Sequence, residues 1–210
     1  MKLYLAQVAT HYIQCLPWLA KKKGAYSRWS DSEDMKAIRE YKPFVLDSFA
    51  YYSYFGDRFD AIAPACRDFM LDSGAFTFMQ KKPEGVNWTD YIERYAEFIK
   101  RWNIKYFIEL DIDNVVGYKK VVEYRRYLEA LTNAQPIPVW HRGRGIPEFL
   151  RLCEQYPYVA IGGIVTREIR PSEYKAFPSM IREAHKRGAK VHGLGFTNIS
   201  KLRSIHFDSV

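Results

Sequence analysis

The chain has 210 residues, of which 48% are hydrophobic and 16% aromatic, and it carries a formal net charge of +8. This length suits one domain, residues 1–210, with a full core, and the apolar content excludes a disordered chain. No apolar run approaches the roughly 20 residues of a transmembrane helix, and the start Met1–Ala6 is too short in its apolar part for a signal peptide, so no membrane association and a cytoplasmic location are expected.

Eight short apolar runs punctuate the chain: Leu3–Val8, Phe44–Phe49, Phe69–Phe76, Tyr106–Ile112, Ile137–Trp140, Tyr158–Ile161, Lys190–Leu194 and Ser204–Phe207. Runs of this kind, bounded by turn residues, suit strands buried on both faces of a parallel sheet. Helical patterns lie between them. In Trp88–Trp102 the residues Trp88, Tyr91, Ile92, Tyr95, Phe98, Ile99 and Trp102 recur at three- and four-residue spacing, with Asn87 or Thr89 as cap. Gly117–Leu131 repeats the pattern. Pro147–Glu154 places Pro in the first turn, Pro171–Lys186 ends before Gly188, and Asn198–Arg203 makes a short further unit.

Strands alternating with helices predict an α/β fold, a compact (β/α)8 barrel of the triosephosphate isomerase type, with an open doubly wound sheet as the alternative. The eighth run leads only into Asp208–Val210, so no helix is expected after strand eight; either the chain is cut short or a partner, such as a second copy, covers the gap. Cys15, Cys66 and Cys153 form no CxxC pair, which argues against a zinc site and for buried roles in a reducing compartment. Neither a metal nor a cofactor is expected.

Function in such a barrel sits at the carboxyl ends of the strands. At the ends of the successive runs stand Asp47, then Asp72 with Ser73 and Gly74, then Asp111 and Asp113, then His141, Arg142 and Arg144. Further along come Gly162 and Gly163, then His192, Gly193, Leu194 and Gly195, and last Asp208. A single strand-end aspartate commonly caps a helix or makes an Asx turn, and Asp47 and Asp113 are placed in that class. Several carboxylates on one rim raise each other's pKa, which suits acid–base or nucleophilic work. The Gly162–Gly163 backbone offers N–H groups to a phosphate or carbonyl oxygen, or else simply turns. The excess of positive charge, with the many tyrosines, points to a polyanionic partner, because cations bind phosphates and rings stack on bases. Lys81, Lys82, Lys119, Lys120, Arg142 and Arg144 are the candidate phosphate contacts, with Lys21–Lys23 as a further basic run that suits a solvated surface equally well.

The ordered set "LDSGAF", "ELDID", "VAIGGIV…E", "VHGLG" and "HFDSV" resembles the tRNA-guanine transglycosylase superfamily, nearest the branch that includes phage and bacterial 7-deazaguanine DNA transglycosylases. The resemblance implies a (β/α)8 barrel that exchanges guanine for a 7-deazaguanine through a covalent glycosyl-aspartate. It puts the nucleophile on Asp208, acid–base or base-positioning chemistry on Asp72, and recognition of the guanine edge on Asp111. It also puts backbone contacts to the base on Gly162 and Gly163, and a floor under the base on Gly193, Leu194 and Gly195. The family's glutamine after strand five is replaced by Trp140-His141-Arg142-Gly143, and no C-terminal zinc site is present, which favours DNA over tRNA as partner. Other readings are tRNA-guanine exchange, a non-catalytic deazaguanine-binding barrel or partner subunit, and an unrelated phosphate-binding barrel enzyme.

Overall fold

The apolar runs pair as parallel strands. The computed structural model describes residues 1–6, 40–50, 52, 59, 66–74 and 85–210. These divide into two units, residues 4–134 and residues 1–3 with 135–210.

In the first unit, β1 (Tyr4–Ala6), β2 (Phe44–Ser48), β3 (Asp68–Asp72) and β4 (Tyr106–Phe107) lie side by side in that order, all parallel. The register sets Asp72 opposite Ser48 and Leu71 opposite Asp47. Among the described residues, α1 (Trp88–Arg101), α2 (Asp113–Val116) and α3 (Tyr118–Thr132) belong to this unit. Asn87 caps α1 by accepting a hydrogen bond from the Asp90 N–H at 3.2 Å, as its residue type predicts. The predicted apolar stripe of α1 is buried, and it packs with Val45, Phe69, Leu71 and Phe107 of the sheet and Val121 and Leu128 of α3 in one core.

Two tyrosines on that stripe do more than fill space. The Tyr95 hydroxyl shares its proton between the carbonyls of Leu71 (3.1 Å) and Ile108 (2.9 Å), and the Tyr91 hydroxyl donates to the Ser73 carbonyl at 2.5 Å. One helix face thereby grips the end of β3 and the start of its loop. Beyond the next strand, Glu109 and Arg125 form an ion pair of 2.5 Å with side chains 0% and 2% exposed, tying α3 to the chain after β4. Breaking a pair buried to this degree leaves a charge stranded, at a cost of about 3–5 kcal/mol.

In the second unit, β5 (Val139–Trp140), β6 (Tyr158–Ile161) and β7 (Lys190–Gly193) are parallel in that order. Helices α4 (Gly145–Gln155) and α5 (Phe177–Lys186) pack on Trp140, Val159, Ile161 and Val191, and α6 (Ile199–Leu202) is short. The predicted helix over Pro171–Lys186 is broken. Residues Pro171–Ala176 form a 3-10 segment and the α-helix begins at Phe177. Pro178 has no N–H to donate, so it is tolerated only in a first turn. Gly188 lies just past the helix with φ +76°, in the left-handed region that closes helices.

The eighth apolar run is not a strand. Ser204 and Ile205 bond back to the Lys201 carbonyl, and the Phe207 ring packs on Phe177 and Phe196. The extended pairing comes two residues later, where Ser209 bridges in parallel to His192 and to Lys2. Seven strands and this bridge make a mixed α/β fold with parallel sheets among the described residues. No helix among them is long and apolar enough to cross a membrane.

The Tyr95 contacts yield a direct test. Tyr95→Phe keeps the ring but takes the hydroxyl donor from the buried Ile108 carbonyl, while Leu71 keeps the Ile108 N–H, so urea unfolding should show a loss of about 1–3 kcal/mol.

Candidate functional site

Alternation along the strands decides which side chains meet. On β3, Phe69 and Leu71 face the helices, so Asp72 turns to the opposite face, where the register puts Ser48 beside it. Asp47 has the other parity. It is 1% exposed and accepts from the Tyr52 hydroxyl and from the Ser48 N–H, each at 3.1 Å.

Asp72 is different. Its Oδ2 accepts the Gly74 N–H at 2.9 Å, folding the chain into a tight turn with Gly74 at φ +81°. A Cβ at Gly74 would lie 2.5 Å from the Ala50 Cβ and 2.9 Å from the Ser48 Oγ, so only glycine lets the loop lie this close to β2. Burial pushes the Asp72 carboxyl up to about 6, and the Asp111 and Asp47 carboxylates add to the rise. The Gly74 N–H and the Ser48 hydroxyl pull the other way without cancelling it. Ser73 is fully buried, and its hydroxyl has no hydrogen-bond partner among the described residues. Asp72, Ser73, Gly74 and Asp111 therefore gather at the carboxyl ends of β3 and β4, as predicted. Asp113 is the first residue of α2, but the N-cap is Ile112 and no side chain caps the helix, so the capping role expected of Asp113 is not seen.

The second unit brings together a group that composition and spacing undersold. His141 Nδ1 lies 2.7 Å from Glu168 Oε2, and Glu168 Oε1 accepts the Gly143 N–H at 2.9 Å. The two glycines beneath are occupied by this pair. A Cβ on Gly162 would meet the His141 ring at 3.0 Å, and one on Gly163 would meet Glu168 at 2.6 Å. The expectation that both glycine N–H groups face a ligand is corrected at Gly162, whose N–H donates to the Trp140 carbonyl at 2.9 Å within the sheet. Glu168 has no role among the predicted site residues, although it closes the quoted stretch "VAIGGIV…E".

The stretch after β7 also departs from expectation. His192 is 1% exposed, its Nδ1 2.6 Å from Ser209 Oγ, which in turn lies 2.5 Å from the Tyr158 hydroxyl. Burial pushes the His192 imidazole down to about 4. The Gly193 N–H is taken by the Ser209 carbonyl, and a Cβ on Gly193 would meet Phe207 at 3.1 Å and Phe196 at 3.2 Å. Gly195, at φ +75°, lies against Val165, and the Leu194 N–H donates to the Ile161 carbonyl. These residues form a packed corner; only Leu194 and Gly195 retain exposure.

Asp208 does not end a strand. It opens the extended segment, and its Oδ2 accepts from the Val191 N–H and meets His185 Nε2, each at 2.8 Å. Val191 stands opposite Val159, so Gly162 lies three residues, about 10 Å, farther along the sheet. The carboxylate sits by α5, at the amino end of β7, because the Phe207 ring is drawn into the core beside it.

Of the candidate cations, Lys119 and Lys120 are exposed on α3, where Lys120 pairs with Glu123 at 2.7 Å. Arg142 is half-exposed and pairs with Glu173 at 3.0 Å. Arg144 is turned inward, its guanidinium donating to the Val139 carbonyl, which removes it from the phosphate contacts. Lys81, Lys82, Lys21–Lys23, Cys15, Ala75 and Phe76 lie outside the described residues.

Two pH dependences result, of opposite sign. Asp72 binds its proton more tightly folded than unfolded, so stability falls as pH rises from about 4 to about 6. Asp72→Asn should therefore raise stability at pH 7 by up to about 3 kcal/mol, the gain vanishing below about pH 4. His192 is the reverse: its folded pKa is depressed, so its contribution is complete above about 6.5 and is lost as pH falls toward 4. Urea titrations across pH 4–7 of the wild type, Asp72→Asn and His192→Gln read both slopes; the acid-side loss should steepen in the first variant and flatten in the second.

No family model matches the chain, and neither does any curated protein or solved structure.

Proposed function

We propose that the chain is a pentosyltransferase, a base-exchange enzyme on a (β/α)8 barrel that replaces guanine in DNA by a 7-deazaguanine. Asp72 is the observation that carries this reading. Exchange requires that the bond between the sugar and the purine nitrogen break and that the departing base be handed a proton, which the incoming base must later give up. A carboxyl group with a pKa of about 6 can do both near neutral pH, and burial beside Asp111 supplies that value. Asp111 would accept hydrogen bonds from the N1–H and amine of guanine; adenine lacks these donors at those positions and would leave the carboxylate unpaired. The glycine turn at Gly74 keeps side-chain bulk off the strand end, which suits a flat ligand.

Exchange through two displacements, as in retaining glycosidases, needs a carboxylate that bonds the sugar. Val191 and His185 engage Asp208 beside α5. The sugar would instead be left as an oxocarbenium ion when guanine departs with the bonding pair and the Asp72 proton, and a nitrogen of the incoming base would capture it on the same face and return its proton to Asp72. The target base must leave its stack, and the exposed cations Lys119, Lys120 and Arg142 would bind flanking phosphates.

The test incubates the protein with DNA or tRNA carrying labelled guanine, adds 7-cyano-7-deazaguanine, and monitors release of guanine. Release from DNA is expected. Asp72→Asn should slow it by about 10²–10⁴-fold, while Asp208→Ala should stay within about tenfold of wild type, a change of at most about 1.4 kcal/mol in the barrier. Release from tRNA alone would move the substrate to RNA, and release from neither would overturn the proposal.

A further inference from the structure

Charge is divided unequally between the two units. Residues 1–3 and 135–210 hold thirteen lysines and arginines against six aspartates and glutamates, a formal +7 of the chain's +8. An asymmetry of this size points to a polyanionic partner for that unit. Its six carboxylates are all engaged. Glu148 takes Arg151, Glu154 and Glu183 take Arg187, and Glu183 also takes Lys186. Glu173 takes Arg142, while Glu168 and Asp208 meet His141 and His185. The excess therefore rests on exposed cations that make no ion pair among the described residues, chiefly Arg167, Arg170, Lys175, Lys201 and Arg203.

Packing collects these five. Arg167 and Arg170 belong to the loop after β6, Lys175 to the 3-10 segment Pro171–Ala176, and Lys201 and Arg203 to α6 and the residue that follows it. The loops after β6 and β7 touch, so closely that a Cβ on Gly195 would strike Val165. The Tyr174 ring of the 3-10 segment lies 5.1 Å from Phe196 of the β7 loop, and Phe196 lies 5.3 Å from Phe207. Leu202 of α6 packs on the same core. The three segments are thus drawn together around Phe196, and their charged side chains, too costly to bury unpaired, are left on the outer side. Arg182 on α5 and Lys190 at the amino end of β7 are also exposed without an ion pair among the described residues, but stand apart from this group.

We propose that the face formed by Arg167, Arg170, Lys175, Lys201 and Arg203 is a docking surface for the phosphate backbone of DNA. The choice of DNA among polyanions rests on the base-exchange reading; the charge distribution does not depend on that reaction. Duplex DNA presents a charge about every 1.7 Å along its axis, so cations spread over three segments can each find a phosphate. A lipid surface calls for an amphipathic helix with a broad apolar face, and α6 has four residues, with Ile199 as its exposed apolar side chain. Backbone contacts hold a duplex in place without reading its sequence, which leaves the selection of the base to other groups. None of the five stands in a basic run, so the sequence draws attention to the paired lysines instead, while folding assembles single residues into the larger patch.

The experiment titrates labelled duplex DNA with the full chain by fluorescence anisotropy at several salt concentrations. Five phosphate contacts give a slope of log K against log salt of about −4 to −5. Lys175→Gln combined with Arg203→Gln removes one charge on each side of Phe196; it should flatten the slope by about 2 and weaken binding on the order of 10–100-fold near 0.1 M salt. Arg182→Gln combined with Lys190→Gln removes the same charge elsewhere and should weaken binding less than about threefold. The single changes Arg170→Gln and Lys201→Gln should each flatten the slope by about 1, so the test does not hang on one variant. Equal losses in the two double variants overturn the proposal. So does tighter binding to poly-glutamate or to phosphatidylserine vesicles than to DNA, or binding to RNA alone. Guanine release is read separately. DNA held through this face without release upholds the surface and defeats the exchange reaction, whereas release with DNA affinity untouched in Lys175→Gln/Arg203→Gln does the reverse.

Discussion

The grip of Tyr91 and Tyr95 on the end of β3 is the constraint on which the first unit's candidate site depends. Residues four apart on α1 share a face, so two hydroxyls reach the same strand end, at the Ser73 and Leu71 carbonyls, and Tyr95 also reaches Ile108 after β4. A strand end is where the ladder runs out of partners, and buried carbonyls there need donors; the Leu71 carbonyl still accepts the Ile108 N–H at 2.8 Å, and Tyr95 adds a second donor. Phenol hydroxyls supply them from within the apolar core, each ring filling volume while its oxygen satisfies the backbone. Helix, strand end and loop are thereby fixed together, and Asp72 inherits its position from that fixation.

Fixation in a sheltered place has an electrostatic consequence. Asp72 sits near two other carboxyl groups with little water to screen it, which makes its charged form expensive. The same physics acts on His192, from which burial withholds the proton. The outcomes differ in kind. His192 is bonded to Ser209 and lies in a closed network with Tyr158, so its neutral form is satisfied and the network joins the strand around Ser209 to β6 and β7. Asp72 is left in a state that a purely structural residue would not need, a departure from stability of the kind found at working sites.

Much of this was legible in the chain. The eight apolar runs located seven strands within a few residues, because a parallel strand covered on both faces needs a continuous apolar stretch. The stripe of α1 and its Asn87 cap could be read from spacing and residue type, since both are local. Asp47 is held inside by Tyr52, whereas Asp113 opens α2 without capping it. The glycine pair illustrates the opposite case. Gly162 and Gly163 announce a close approach to the backbone, but sequence does not say by what, and the answer was His141 and Glu168. The run Ser204–Phe207 suggests a strand because it is one of the short apolar runs. Its Phe207 instead fills a core with Phe177 and Phe196, and the pairing moved on to Ser209.

By itself, then, the sequence determined the alternation of strands and helices, the carboxylates at the ends of β3 and β4, and the basic surface chemistry. These depend on periodicity, capping and composition, which act over a few residues. Only the tertiary structure decided which strand-end groups point away from the helices, that Asp208 opens its segment beside His185, that Arg144 turns inward, and that Glu168 pairs with His141. Those outcomes depend on side-chain parity, register and the packing of distant aromatics. A shift of a residue or two in where an extended segment begins carries a side chain to the other end or the other face of the sheet.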